Sequence, residues 1–164
     1  MRSRELIKQH EQIKRLIQET KTSTNGNLEL QGHWGKYLCV LVSGFLENSI
    51  CEVYIEFVNT ASAPHVTQYT RTALSKIQNP KAAKFVDTAR QFKKEWGQEL
   101  ETFFIEDSSR KDAIDSIMQN RHLIAHGKSS SISVARVSEY LQKSIEVIEF
   151  MENQCFGQNV NTQI

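Results

Sequence analysis

The residues best suited to chemistry lie in one short segment, residues 120–127, which reads Asn-Arg-His-Leu-Ile-Ala-His-Gly. If this segment is helical, His122 and His126 are one turn apart, and both side chains can point from one face beside Arg121. Histidine can transfer protons near neutral pH, whereas arginine stays positively charged. Such groups can cleave a phosphodiester, because one moves protons while the other neutralises the charge that develops on the phosphorus centre.

The position of Arg121 allows a purely structural alternative. It is three or four residues from apolar side chains on both sides, namely Ile117, Met118, Ile124 and Ala125. A guanidinium on an apolar helix face requires either a carboxylate partner or a role at an interface. The alternative to a catalytic site is therefore a buried ion pair between Arg121 and Glu47 or Glu52 of an upstream helix.

The two histidines could also form half of a zinc site, because two imidazoles one turn apart are common metal ligands. However, no glutamate follows His122 as in the H-E-x-x-H pattern, no third ligand is close in the sequence, and Arg121 would repel a cation. The sequence therefore favours a site without a metal or a cofactor. The other histidines are scattered, and we expect them to be ordinary surface or half-buried residues: His10, His33 and His65.

Charge composition limits where a nucleic acid could bind. The chain has 20 Lys and Arg against 19 Asp and Glu, with a formal net charge of +1. Any affinity for phosphate backbones must therefore be local. Clusters of basic residues often form only a solvated face, but they are the available phosphate contacts. The clusters are Arg2, Arg4 and Lys8 with Lys14 and Arg15, and Arg90 with Lys93 and Lys94.

Length and composition favour one intracellular domain. A chain of 164 residues is a common size for a single domain, and we expect one domain over residues 1–164. Three cysteines without paired spacing predict reduced thiols. We recognise neither the apolar core of a signal peptide nor a later stretch of about 18 apolar residues, so we expect a cytoplasmic protein without a membrane segment. Residues 155–164 are expected to be a flexible tail.

Helical periodicity runs through the chain and predicts an all-α fold. The longest apolar pattern predicts a central helix from about His33 to Thr60. Start and stop signals divide the rest into shorter helices, with starts at Pro64, at Asn79-Pro80, near Asp107 and after Ser133, an end or kink at Gly97, and an end at Gly127. The predicted architecture is a bundle of about five or six helices around the central one.

At residues 120–127 the chain resembles the HEPN superfamily. Catalytic members of that superfamily carry an arginine, four to six residues and then a histidine, usually with a polar residue directly after the arginine. Arg121, four intervening residues and His126 match this pattern, with His122 in the position where Asn or Asp is more usual. Asn120, Gly127 and the following amphipathic helix are also similar to bacterial HEPN families that include toxin-type ribonucleases.

This resemblance implies metal-independent RNA cleavage at a composite site formed by two protomers. In that scheme the ribose 2′-hydroxyl attacks the adjacent phosphate, His126 transfers protons and Arg121 stabilises the charged transition state. We expect Asn120, His122 and Glu47 to support them. The implied partners are an RNA substrate, a second copy of the chain and a regulatory protein such as an antitoxin. The alternative is a non-catalytic HEPN-like scaffold that binds a protein or a nucleotide and keeps Arg121 for structure.

Overall fold

The computed structural model describes residues 1–24 and 26–157, and all the regular secondary structure in these residues is helical. The helices are α1 (Arg4–Ser23), α2 (Leu28–Ala61), α3 (Pro64–Leu74), α4 (Ala82–Phe92), α5 (Lys94–Glu106), α6 (Ser108–Ala125) and α7 (Val134–Phe156). The all-α prediction is confirmed. The described residues form seven helices, one more than the upper expected number.

The centre of the bundle is α2, a helix of 34 residues. Helices α1, α3, α6 and α7 all pack on it. Its consecutive residues Val53, Tyr54 and Ile55 are all buried, which requires neighbours on more than one side, because successive side chains of a helix point about 100° apart. The helix begins five residues before His33, because Asn27 caps it with a side-chain oxygen that accepts a hydrogen bond from the Leu30 N–H at 3.0 Å.

By length and composition alone, α2 is long and apolar enough to cross a membrane. The most apolar part of α2 has a mean hydropathy of 1.5, and 61% of that part is buried inside the bundle. The central helix of a soluble bundle meets the same test, since its apolar side chains are covered by neighbouring helices.

The additional helix arises where one predicted helix is in fact two. Lys93 has extended backbone angles (φ −154°, ψ 127°), and it both ends α4 and precedes α5. The break predicted at Gly97 was wrong, because Gly97 is buried inside α5. A Cβ at Gly97 would lie 2.7 Å from the Cβ of Arg90 on α4. Glycine is therefore required here for the close approach of two helices and not for a turn.

Helix α4 also begins later than predicted. Its first residue is Ala82, not Pro80, and Asn79 has a left-handed backbone with φ +48°. The Asn79 N–H donates to Glu47 Oε2 at 2.7 Å, and the Ala82 N–H donates to Asp115 Oδ1 at 2.8 Å. The start of α4 is thus set by carboxylates of α2 and α6, which the local sequence does not reveal.

The last helix extends past its predicted end. Cys155 is buried and lies one turn after the buried Met151, so the apolar stripe of α7 continues to its final turn. The first two residues of the predicted flexible tail are therefore helical, since α7 ends at Phe156. Residues 158–164 of that tail lie outside the described residues.

One end of the bundle brings together the end of α1, the start of α2, the end of α6 and the start of α7. Gln31 Nε2 donates to the carbonyl oxygen of Thr24 at 3.1 Å, which joins α2 to the end of α1. Gly35 lies against the connection between α6 and α7, where a Cβ would clash with the carbonyl oxygen of Ile132. We call residues 21–24, 26–36 and 120–138 the motif end.

Replacing Gly35 with alanine is expected to destabilise the fold by about 1–3 kcal/mol, because the added methyl group must displace the Ile132 carbonyl. The matched control is Gly44→Ala on the same helix, where a Cβ meets nothing within 4 Å. Removing that helical glycine should stabilise by up to roughly 1 kcal/mol. Urea unfolding measures both variants, and equal stabilities would contradict the close approach.

Candidate active site

The motif occupies the last turn of α6 and the cap that ends it. His126 is the C-cap residue, and its N–H donates to the carbonyl oxygen of His122 at 3.2 Å. Gly127 has φ +64°. Its N–H donates to the oxygen of Ile124 at 3.1 Å, and the next N–H donates to the oxygen of Leu123 at 2.9 Å. These bonds form a Schellman motif, so the predicted helix end at Gly127 is confirmed and the backbone of His126 is held in place.

The two imidazoles lie side by side. The ring centroids of His122 and His126 are 4.4 Å apart, with an angle of 57° between the ring planes. Both side chains are exposed. The structure thus brings the two histidines together on one accessible surface, as their spacing predicts, and both can reach a phosphodiester without a change of backbone.

Arg121, the residue before His122, is half-buried, and the predicted ion-pair alternative is wrong. The carboxylate of Glu47 accepts a hydrogen bond from the Asn79 N–H, and that of Glu52 lies 3.9 Å from Arg71. Within residues 1–24 and 26–157, no carboxylate lies within ion-pair distance of the Arg121 guanidinium. Its charge is therefore not neutralised by the described part of the fold.

Beneath the motif, Cys39 joins α2 to α6. Its thiol donates to the carbonyl oxygen of Ile117 at 3.5 Å. Burial raises the pKa of Cys39 to about 12, so this thiol stays protonated and is not a nucleophile. Glu47 lies eight residues further along α2, about 12 Å at 1.5 Å per residue. The structure therefore does not bring Glu47 to the motif.

Asn120 holds the connection that follows the motif. Its Nδ2 donates to the carbonyl oxygen of Ser116 at 2.9 Å, and its Oδ1 accepts from the hydroxyl of the buried Ser130 at 2.8 Å. Asn120 thus positions the segment after His126. Sequence analysis missed Ser130, because a serine among four consecutive polar residues gives no sign of which one is buried.

Cations outnumber carboxylates at the motif end. This region carries five lysines or arginines, Lys21, Lys36, Arg121, Lys128 and Arg136, against a single carboxylate, Glu29. Arg136 also donates to Glu139, just outside the region, at 2.9 Å. The chain as a whole is close to neutral, so the positive charge is local and would attract an anionic substrate.

His122 and His126 do not belong to a group of potential metal ligands in the described part of the chain. Among the described residues, no group of three or more His, Cys, Asp or Glu side chains is placed to hold a metal ion. The pair of His122 and His126 thus lacks a third side-chain ligand in that part of the chain.

A sequence profile of the family described as RiboL-PSP-HEPN matches residues 4–156. The chain belongs to this family. The match begins with the first residue of α1 and ends with the last residue of α7, so the HEPN domain comprises all the described helices. Family membership indicates a nuclease or RNA-related function. Neither the curated proteins nor the solved structures contain a match to this chain.

Replacing Gly127 with alanine should destabilise the protein by roughly 1 kcal/mol, because L-residues are strained at a left-handed φ. The matched control is Gly157→Ala at the end of α7, where φ is −76° and alanine fits. Calorimetry should show Gly127→Ala lowering Tm by about 2–4 °C relative to this control. An equal Tm in the two variants would contradict the left-handed cap.

Replacing Arg121 with alanine should change the free energy of unfolding by less than about 1 kcal/mol, as is usual for a charged side chain without a buried partner. Arg110→Ala is the control, because Arg110 donates to Glu146 at 2.9 Å and its guanidinium lies 3.7 Å from the ring centre of Phe103. Its loss should cost about 1–3 kcal/mol. Denaturant unfolding measures both. A larger loss for Arg121→Ala would show that Arg121 is structural.

Proposed function

We propose that this HEPN protein is a metal-independent endoribonuclease that cleaves RNA by attack of a ribose 2′-hydroxyl. The observation that supports this most directly is the exposed pair of imidazoles, 4.4 Å apart. The residue before His122 is Arg121, which no described carboxylate neutralises. Acid–base groups and a fixed positive charge are what this reaction needs.

In the proposed reaction His126 accepts the proton of the 2′-hydroxyl, and the oxygen attacks the adjacent phosphorus. The bond from phosphorus to the 5′ oxygen breaks, and His122 supplies the proton that this leaving oxygen takes up. The products are a 2′,3′-cyclic phosphate and a 5′-hydroxyl end. No water and no metal ion enter the bond-breaking step, and the proton lost at one oxygen is balanced by the proton gained at the other.

Arg121 stabilises the negative charge that builds up on the non-bridging phosphate oxygens. A guanidinium offers several N–H donors in one plane, which suits a phosphate. The scaffold alternative requires Arg121 to be part of the structure. Its half-buried position without an ion pair in the described residues favours the catalytic role instead.

We further propose that the active form is a homodimer. In its first half, α2 exposes apolar side chains to solvent: Leu30 at 40%, Tyr37 at 51% and Val40 at 41% exposure. Pairing of two copies through this face would cover it and bring two motifs towards one cleft. A toxin or defence role restrained by a partner protein, acting in the cytoplasm, rests on the family resemblance.

The experiment that tests the proposal is cleavage of single-stranded RNA by the purified protein in EDTA. His126→Ala should lower the rate by about 10²–10⁴-fold through loss of proton transfer, and Arg121→Ala by about 10²–10³-fold through loss of charge stabilisation. The matched controls are His65→Ala and Arg71→Ala on α3, which should retain full activity. A substrate with 2′-deoxyribose at the cleaved position should not react.

Mixing the two inactive variants tests the dimer in the same assay. If one copy supplies Arg121 and the other supplies His126, mixed dimers contain one complete site, and activity should return to about a quarter of the wild-type level. No recovery would show that each copy works alone. Persistent cleavage by His126→Ala, or cleavage of the 2′-deoxy substrate, would contradict the ribonuclease mechanism itself.

A further inference from the structure

A groove separates α1 from α7 on the side of the bundle next to the motif end. The two helices are tied at the opposite end, where the Arg2 N–H donates to Glu152 Oε1 at 2.7 Å. Further along, a cavity of about 610 Å³ lies open between α1 and α7. It extends from His10 and Ile145 at one end to Lys21 and Ser138 at the other. We call this cavity the α1–α7 groove.

The floor of the groove is apolar and its edge is cationic. Ile17, Leu141 and Ile145 line the floor. The exposed side chains of Lys14, Arg15 and Lys21 line the α1 edge.

A single carboxylate, Glu11, lines this groove, and Lys14 lies 3.2 Å from it. Burial, together with the charge of Lys14, lowers the pKa of His10 at the far end, so His10 adds little positive charge at neutral pH. Lys14 offsets Glu11, which leaves Arg15 and Lys21 as the excess cations on this edge.

Two arginines of the other basic clusters are used within the fold. The guanidinium of Arg2 stacks on the ring of Phe156 at 4.4 Å, and Arg90 lies 3.1 Å from Asp87 and 2.9 Å from Glu101. Within the described residues, Arg15 and Lys21 have no such carboxylate. The groove therefore holds cations that the described fold does not use for its own stability.

One end of the groove lies at the motif end. Lys21 lies in the last turn of α1, and Ser138 lies in the second turn of α7, which begins directly after the connection that follows the motif. From His10 to Lys21 the groove edge is about 16 Å long at 1.5 Å per residue. That length corresponds to several phosphate spacings of a nucleic-acid strand.

We propose that the α1–α7 groove binds a segment of single-stranded RNA adjacent to the bond that is cleaved. Bases lie on the apolar floor, and phosphates contact Arg15 and Lys21. A positively charged groove that follows the backbone holds single strands without reading their sequence. This inference rests on the proposed function for the choice of RNA as ligand, but binding can be measured without cleavage.

The test is binding of a fluorescent, single-stranded 2′-O-methyl RNA, which has no free 2′-hydroxyl and cannot be cleaved by the proposed reaction. The groove variant is Arg15→Gln with Lys21→Gln. The matched control is Lys93→Gln with Lys94→Gln, which removes two exposed lysines. These lysines lie away from the groove, near Trp96, whose carbonyl oxygen accepts a hydrogen bond from Gln154 at the far end of α7. Both pairs are exposed, so folding should be unaffected.

The groove variant should bind more weakly, and the slope of log Kd against log salt should fall by about 1.4, since each phosphate contact on a single strand contributes about 0.7. The control should keep the wild-type slope. A second pair of variants, each with one added negative charge, tests the wall of the groove. Gln142→Glu inside the groove should weaken binding, whereas Gln98→Glu on α5 should not.

The outcomes separate this inference from the proposed function. If the wild-type protein cleaves RNA but the groove and control variants bind alike, the groove proposal is overturned and the ribonuclease proposal stands. If no cleavage occurs but the groove variant alone loses binding, the groove is confirmed as an RNA site and the catalytic proposal fails. Absence of RNA binding by the wild-type protein also overturns the groove proposal.

Discussion

The fold depends on neighbouring helices covering the apolar surface of α2. This helix is apolar over most of its length, and residues such as Leu38, Leu46 and Tyr54 are fully buried on different sides of it. Burial of apolar area contributes roughly 25 cal/mol per Å², so the neighbours of α2 are held where they cover it best. That requirement places α6 against α2 at Cys39 and thereby decides where the motif at the end of α6 emerges.

The candidate site combines a rigid support with accessible reactive groups. The thiol of Cys39 and the carbonyl of Ile117 join α6 to α2 below the motif, and Asn120 holds the connection above it through Ser130. The left-handed cap at Gly127 stops the helix directly after His126. Side chains on a fixed backbone lose less conformational freedom when a substrate binds, which is the usual requirement of a catalytic constellation.

Charge is divided between the two ends of α6. At its start, hydrogen bonds from Ser109 and Lys143 lower the pKa of Asp107 to about 2, and Arg110 bonds to Glu146 at 2.9 Å, so opposite charges neutralise one another. At its end, Arg121 has no such partner in the described residues. A nearly neutral chain can therefore present a locally positive surface, because carboxylates are concentrated where the fold needs them.

The sequence by itself determined the helical class, the central helix, the cap at Gly127 and the adjacency of His122 and His126, because these follow from interactions within one or two turns of a helix. Only the tertiary structure decided which partners Arg121 and Glu47 have. Both were compatible with a buried pair by composition, but α2 presents Cys39 to the motif and turns Glu47 towards Asn79. Long-range packing sets which carboxylate meets which cation, and so the α1–α7 groove and the break at Lys93 also depend on it.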